Sequence, residues 1–168
     1  GDSQPPSLKE CAKEKGVKLL SNGEEFGIEN SHAWYQHTTG DVVEMEDLPE
    51  GMLPAPSAIA ALQAFVYAGF DISEVQFRQM LEETSLPGRM QWIGERILLD
   101  VAHNPNAAEY LKCRLEALPE EKVIHAVVGM YADKDCKTVL SILGGLIEHW
   151  YLTDMEDTRA ASAKELEN

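Results

Sequence analysis

The chain has 168 residues, 44% hydrophobic and 26% charged, with 29 acidic against 14 basic side chains and a formal net charge of −15. Such a balance belongs to a folded protein of one ordinary domain or two small pieces. It argues against nucleic acid and anionic membranes as partners, since both need clustered Lys and Arg, and no apolar run nears the ~20 residues of a membrane span. Cys11, Cys113 and Cys136 form no C-x-x-C pair and are expected to be free, buried or half-buried thiols in a reducing cytosol. The opening residues lack the pattern of a signal peptide, and Gly1 is no natural initiator, so the chain is expected to be an excised segment of something longer.

In chain order, Ser7 caps a short helix through Lys15 that stops at Gly16, and Val17 to Leu20 reads as a strand. Ala33 to His37 and Val42 to Met45 are further strands, with Trp34 and Tyr35 expected to cover one sheet face. Leu53-Pro54-Ala55-Pro56 leads into a helix capped by Ser57, with Ile59, Leu62, Phe65 and Val66 as its apolar stripe and Gly69 as its end. Ser73 with Gln76 is a capping box, and Ile72 with Phe77 a hydrophobic staple, for a helix that turns Phe77, Met80 and Leu81 to the core.

Beyond Leu86 to Gln91 the pattern becomes an alternation of strand and helix. Ile97 to Leu99 is a short core strand, and Asn104-Pro105 opens a helix through Leu118, Asn as cap and Pro at the first helical position. Val123 to Met130 is a buried strand, Asp135 to His149 a helix, Trp150 to Leu152 a strand, and Ser162 with Glu165 a capping box for a last helix. The order β-α-β-α-β-α predicts a parallel sheet with right-handed crossovers.

In such a sheet ligands bind at the carboxyl ends of the strands, where Asp100 and His103 fall. Asp100 is either a strand-end carboxylate that caps backbone or an acceptor for the ribose hydroxyls of a nucleotide. Arg89, in a Pro-Gly turn, offers a planar cationic fork for phosphate or a linker salt bridge. His103 suits a backbone-bonded helix-start histidine. Asp133-Lys134-Asp135 is a charged turn on the same edge, with Asp135 as cap and Lys134 available to anions. His32, His37, His125 and His149 show no metal-ligand spacing, so no metal site is expected. The phosphate-cradling G-x-x-x-x-G-K-[ST] loop is absent from the sequence.

Three stretches occur in a telling order: Pro87-Gly88-Arg89-Met90-Gln91, Asp100-Val101-Ala102-His103-Asn104-Pro105, and Val128-Gly129-Met130-Tyr131-Ala132-Asp133-Lys134-Asp135. Together they resemble the bacterial dihydrofolate synthase/folylpolyglutamate synthase family, a branch of the Mur ligase superfamily. The resemblance extends from Gly1-Asp2-Ser3-Gln4-Pro5-Pro6 to His149-Trp150-Tyr151.

It implies an α/β fold: the end of a central ATPase domain over residues 1–84, a hinge at 85–91, and over 92–168 the first half of a Rossmann-like C-terminal domain with a mainly parallel sheet. It implies an ATP-dependent ligase that joins L-glutamate to dihydropteroate or folate through an acyl-phosphate, cytoplasmic and monomeric. Arg89 and Asp100 would bind ATP, and His103 would lie near the glutamate or the acyl-phosphate. Ser57 stands where a relative would carry an ATP-contacting asparagine of a Pro-Asn-Ala-Ala segment. The family's phosphate loop, Mg²⁺ ligands and carbamylated lysine belong to a portion N-terminal to this stretch, so the chain alone is expected to be inactive. A cell-wall Mur ligase and a non-catalytic module that kept the fold are the alternatives; the Asp-Val-Ala-His sequence and the Gly129–Asp135 segment favour the folate branch.

Overall fold

A computed structural model describes residues 6–119 and 122–167. The chain divides into two compact units, Gly1–Pro87 and Gly88–Asn168.

The first unit holds helix α1 (Pro6–Glu14), strands β1 (Phe26–Glu29), β2 (His32–Gln36) and β3 (Val42–Met45), and helices α2 (Ala55–Tyr67) and α3 (Glu74–Glu83). The strands form an antiparallel sheet in the order β1-β2-β3. Ala33, Tyr35 and Met45 meet Ile59, Leu62 and Val66 of α2 and Phe77 and Leu81 of α3 in one core. Trp34 and Tyr35 do not share a face: successive strand residues alternate, so Tyr35 is buried in the core while the Trp34 ring covers Gly27 across the sheet. A Cβ on Gly27 would sit 2.4 Å from that ring.

Several local expectations change in this unit. Residues 17–20 are irregular, and β1 takes the place of that strand. Helix α2 starts at Ala55 after Pro54 with no side-chain cap, so Ser57 is already inside its first turn and caps nothing. Its buried face is Ile59, Leu62, Gln63 and Val66, whereas Phe65 is exposed and stacks on Phe70. Gln63 is buried because its amide copies a strand: Gln36 N–H donates to its Oε1 (2.8 Å) and its Nε2 donates to Gln36 O (2.9 Å). The Ser73–Gln76 capping box is present, though Met80 points to solvent. Arg78 ties α3 to the turn after β3, donating to the carbonyls of Asp47 (2.7 Å) and Glu46.

The second unit runs β4 (Gln91–Ile93), β5 (Ile97–Leu99), α4 (Pro105–Glu116), β6 (His125–Val128), α5 (Cys136–Leu143), β7 (His149–Leu152) and α6 (Ala163–Leu166). Strands β6 and β7 pair in parallel, His125 opposite His149 and Val128 opposite Leu152. The strand Ile97–Leu99 is not hydrogen-bonded into this pair; it forms an antiparallel hairpin with β4 about a turn at Gly94, where φ is +61°. Sequence reasoning passed over that hairpin because Gln91–Ile93 is only one short pleat long. Strand β6 is half-buried instead of fully buried, with His125 and Val127 facing out and Ala126 and Val128 facing in. Helix α5 stops at Leu143 and not at His149, because Gly144 and Gly145 follow and glycine costs a helix interior up to ~1 kcal/mol each. Asn104, Asp135 and Ser162 cap their helices as expected, through Ala107 N–H (2.9 Å), Thr138 N–H (3.2 Å) and Glu165 N–H (3.3 Å). The core gathers Ala108, Met130, Val139, Ala161 and Leu166. Cys11 and Cys113 are exposed, not half-buried; Cys136 is half-buried, and burial pushes its thiol pKa up.

Candidate functional site

The first and second signature stretches are physically joined, through residues ten apart in the chain. In the Pro-Gly-Arg turn Gly88 has φ +69° and the buried Met90 has φ +45°, a left-handed conformation that a side-chain-bearing residue adopts only under constraint. Two backbone contacts supply it: Val101 N–H donates to Gly88 O (2.9 Å), and Met90 N–H donates to Asp100 Oδ2 (2.8 Å). Gln91 closes the turn by accepting Gly88 N–H on its side-chain oxygen (2.8 Å).

Asp100 is therefore half-buried and engaged at both oxygens, Oδ1 accepting Ala102 N–H at 2.8 Å. Each carboxylate oxygen retains a second acceptor position, so backbone capping and ligand binding are compatible here. Arg89 is half-buried, with no hydrogen bond or ion pair on its guanidinium among the described residues. His103 is exposed; its Nδ1 donates to Val101 O (2.9 Å), which fixes the tautomer when neutral and leaves Nε2 as an acceptor. Ser57 is exposed on α2, in the first unit.

A cavity of about 1260 Å³ runs along β6, from residues 122–124 before the strand to 129–131 after it, and reaches the loops that follow β5 and β7. Leu98, Leu111 and Leu115 give it an apolar wall, and Asp100, His103, Tyr131, Lys134 and Arg159 give it chemistry. The structure thus brings Asp100 and His103 together on one surface; Arg89 does not line it. Lys134 Nζ bonds Asp133 Oδ2 (2.8 Å), which holds the Asp133 carboxyl below its ordinary pKa. Arg159 follows β7, and its guanidinium carbon lies 4.4 Å from the centre of the Tyr131 ring. Sequence reasoning missed Arg159, although the rule that placed Asp100, that loops after parallel strands share one edge, applies equally to residues 153–159. On the exposed face of β6–β7 the His125 and His149 rings lie 4.6 Å apart, tilted by 31°, and Tyr151 stacks on His125. Among the described residues no group of three or more His, Cys, Asp or Glu side chains gathers to hold a metal.

Residues 88–168 match the Mur ligase glutamate ligase domain, and the second unit has that domain's Rossmann-like α/β fold. The wider chain narrows the class. It is 37% identical over 96% of its length to the dihydrofolate synthase/folylpolyglutamate synthase of Escherichia coli, and 34% identical, again over 96%, to that of Buchnera aphidicola. It superposes on the E. coli FolC complex with DHPP and ADP with a TM-score of 0.81 at 35% identity, covering 98% of this chain and 40% of that one. A bifunctional folylpolyglutamate synthase/dihydrofolate synthase with Mn, AMPPNP and L-glutamate bound gives 0.82 at 34% identity, again covering 98% of this chain and 40% of that one. The chain belongs to the dihydrofolate synthase/folylpolyglutamate synthase family and spans about 40% of the length of these curated relatives.

Proposed function

We propose that this stretch works within an ATP-dependent ligase that adds L-glutamate to dihydropteroate, folate or both. ATP phosphorylates a carboxylate of the pterin substrate, the amine of glutamate attacks the acyl-phosphate, an amide forms and phosphate departs. The observation that carries this reading is the joining of the Pro-Gly-Arg turn to the Asp100 loop beside a cavity that reaches that loop. Asp100 would accept ribose hydroxyls, and Arg89 would reach the phosphates, where a planar fork suits two oxygens at once. His103 Nε2 would sit near the reacting amine and take up a proton. Ser57 would add a hydrogen bond to the nucleotide. The Mg²⁺ that accompanies ATP would draw its ligands from other parts of the enzyme, which we take to be a cytoplasmic monomer.

The test is ADP release by the full-length protein that contains this stretch, which should require both glutamate and a pteroate. In that protein Arg89→Ala should lower kcat/KM for ATP by about 10- to 100-fold, the scale of one charge-assisted contact. An unchanged value would leave Arg89 a structural turn residue.

A further inference from the structure

The loop after β7 is tied to the loop after β6 with unusual thoroughness, and the tie presents an arginine. Ala132 N–H donates to Arg159 O (2.8 Å), and Tyr131 and Ala160 form an isolated bridge. Asp157 organises the rest: Oδ1 accepts the Arg159 backbone N–H (2.8 Å), and Oδ2 accepts the Tyr131 hydroxyl (3.2 Å). The guanidinium itself touches this carboxylate only through Nε, at 3.5 Å. Its central carbon lies over the Tyr131 ring, 4.4 Å from the ring centre, with the Tyr131 hydroxyl as a further polar neighbour, and the rest of the fork is exposed.

A staple between two loops needs none of that exposed end, because the backbone bonds and the Tyr131–Asp157 bond already make it. Stacking on an aromatic face fixes the orientation of a guanidinium while leaving its outer N–H groups free. Two parallel N–H groups at a fixed angle are the geometry that reads a carboxylate bidentately. Arg159 lines the same cavity as His103 and Lys134.

We propose that Arg159, held over the ring of Tyr131, recognises a carboxylate of the amino-acid substrate. This rests on the ligase reading above and deepens it: Arg159 takes one of the two carboxylates of glutamate and leaves the amine free to attack.

The experiment uses the full-length enzyme, with glutamate, ATP and the pteroate varied in turn. Arg159→Ala should raise KM for glutamate by about 10- to 100-fold and leave the KM values for ATP and pteroate within about twofold. Tyr131→Leu, which removes the aromatic face, should raise the glutamate KM as well. Should Arg159→Ala fail to fold, Arg159→Lys carries the test, since it keeps the charge without the fork and should still raise the glutamate KM about tenfold. A glutamate KM within twofold of wild type in Arg159→Lys, or a raised ATP KM in its place, overturns the proposal. Glutamine and 4-aminobutyrate as alternative acceptors, each lacking one carboxylate, then show which one is read: the analogue without it should lose its sensitivity to Arg159→Ala, and equal sensitivity of both overturns the carboxylate assignment. Wild-type enzyme that releases no ADP in response to glutamate would instead sink the ligase reading itself.

Discussion

Asp100 shows how one side chain serves structure and chemistry together. Its two oxygens accept the N–H groups of Met90 and Ala102, each at 2.8 Å. Asn at this position must turn its NH₂ toward one of those donors, so one bond is lost and two donors face each other, at a cost of about 1–3 kcal/mol. In a unit of this size that scale corresponds to roughly 4–8 °C per kcal/mol. Asp100→Asn is therefore expected to lower the Tm of the second unit by several degrees and to raise KM for ATP in the full-length enzyme. Melting curves together with ATP titration check both halves, and a variant with a wild-type Tm would contradict the hydrogen-bond pattern. The cap at Asn104 was legible in the sequence because it is local, an Asn before a Pro. The Asp100–Met90 bond was not, since it requires Met90 at φ +45°, which no propensity of methionine foretells. Gln63 hid for a related reason: a polar residue on a buried face makes sense only once Gln36 is known to lie opposite.

At the scale of elements, caps and periodicity carried the helices, and pairing partners decided the strands. Helices α3, α4 and α6 begin where their capping residues announce them. Strand β5 has the apolar sequence of a core strand yet pairs antiparallel with β4, because a turn at Gly94 brings a nearer partner than β6. The loop after β7 carries a pH dependence. The backbone N–H and then the guanidinium of Arg159, with help from the Tyr131 hydroxyl, hold the Asp157 carboxyl below its ordinary pKa. A carboxyl depressed in the folded state contributes stability that is present above its unfolded value, about 3.9, and is lost as pH falls through the lower folded value. Asp157→Asn should thus reduce the Tm at pH 7, and the gap from wild type should close as both are acidified below about pH 4. A gap of equal size at pH 7 and pH 3 would assign the effect to shape and not to charge.

For the molecule as a whole, Arg89, Asp100, His103 and Arg159 all belong to the second unit, Ser57 belongs to the first, and the sequence contains no G-x-x-x-x-G-K-[ST] loop. The purified chain by itself is expected to release no ADP from ATP, with or without glutamate and folate, and a coupled assay for ADP is sufficient to check it. Glutamate- and folate-stimulated release from this chain alone would mean that its own residues complete a phosphate site. The family was legible in three short stretches because each sits where the fold needs an unusual backbone or an exposed strand end. Arg159 lay outside them, contributed by a loop whose ordering depends on contacts with Tyr131 and Ala132.

The clasp between residues 88–90 and 100–101 also settles how Arg89 is mounted. With Gly88 O pinned to Val101 and Met90 N–H pinned to Asp100, the residues on either side of Arg89 have little torsional freedom left. The backbone on both sides of Arg89 is thus held as one piece with the Asp100 loop. A change at Asp100 therefore reaches Arg89 through the backbone, and part of any loss of ATP affinity in Asp100→Asn is expected to come from a loosened Arg89 turn.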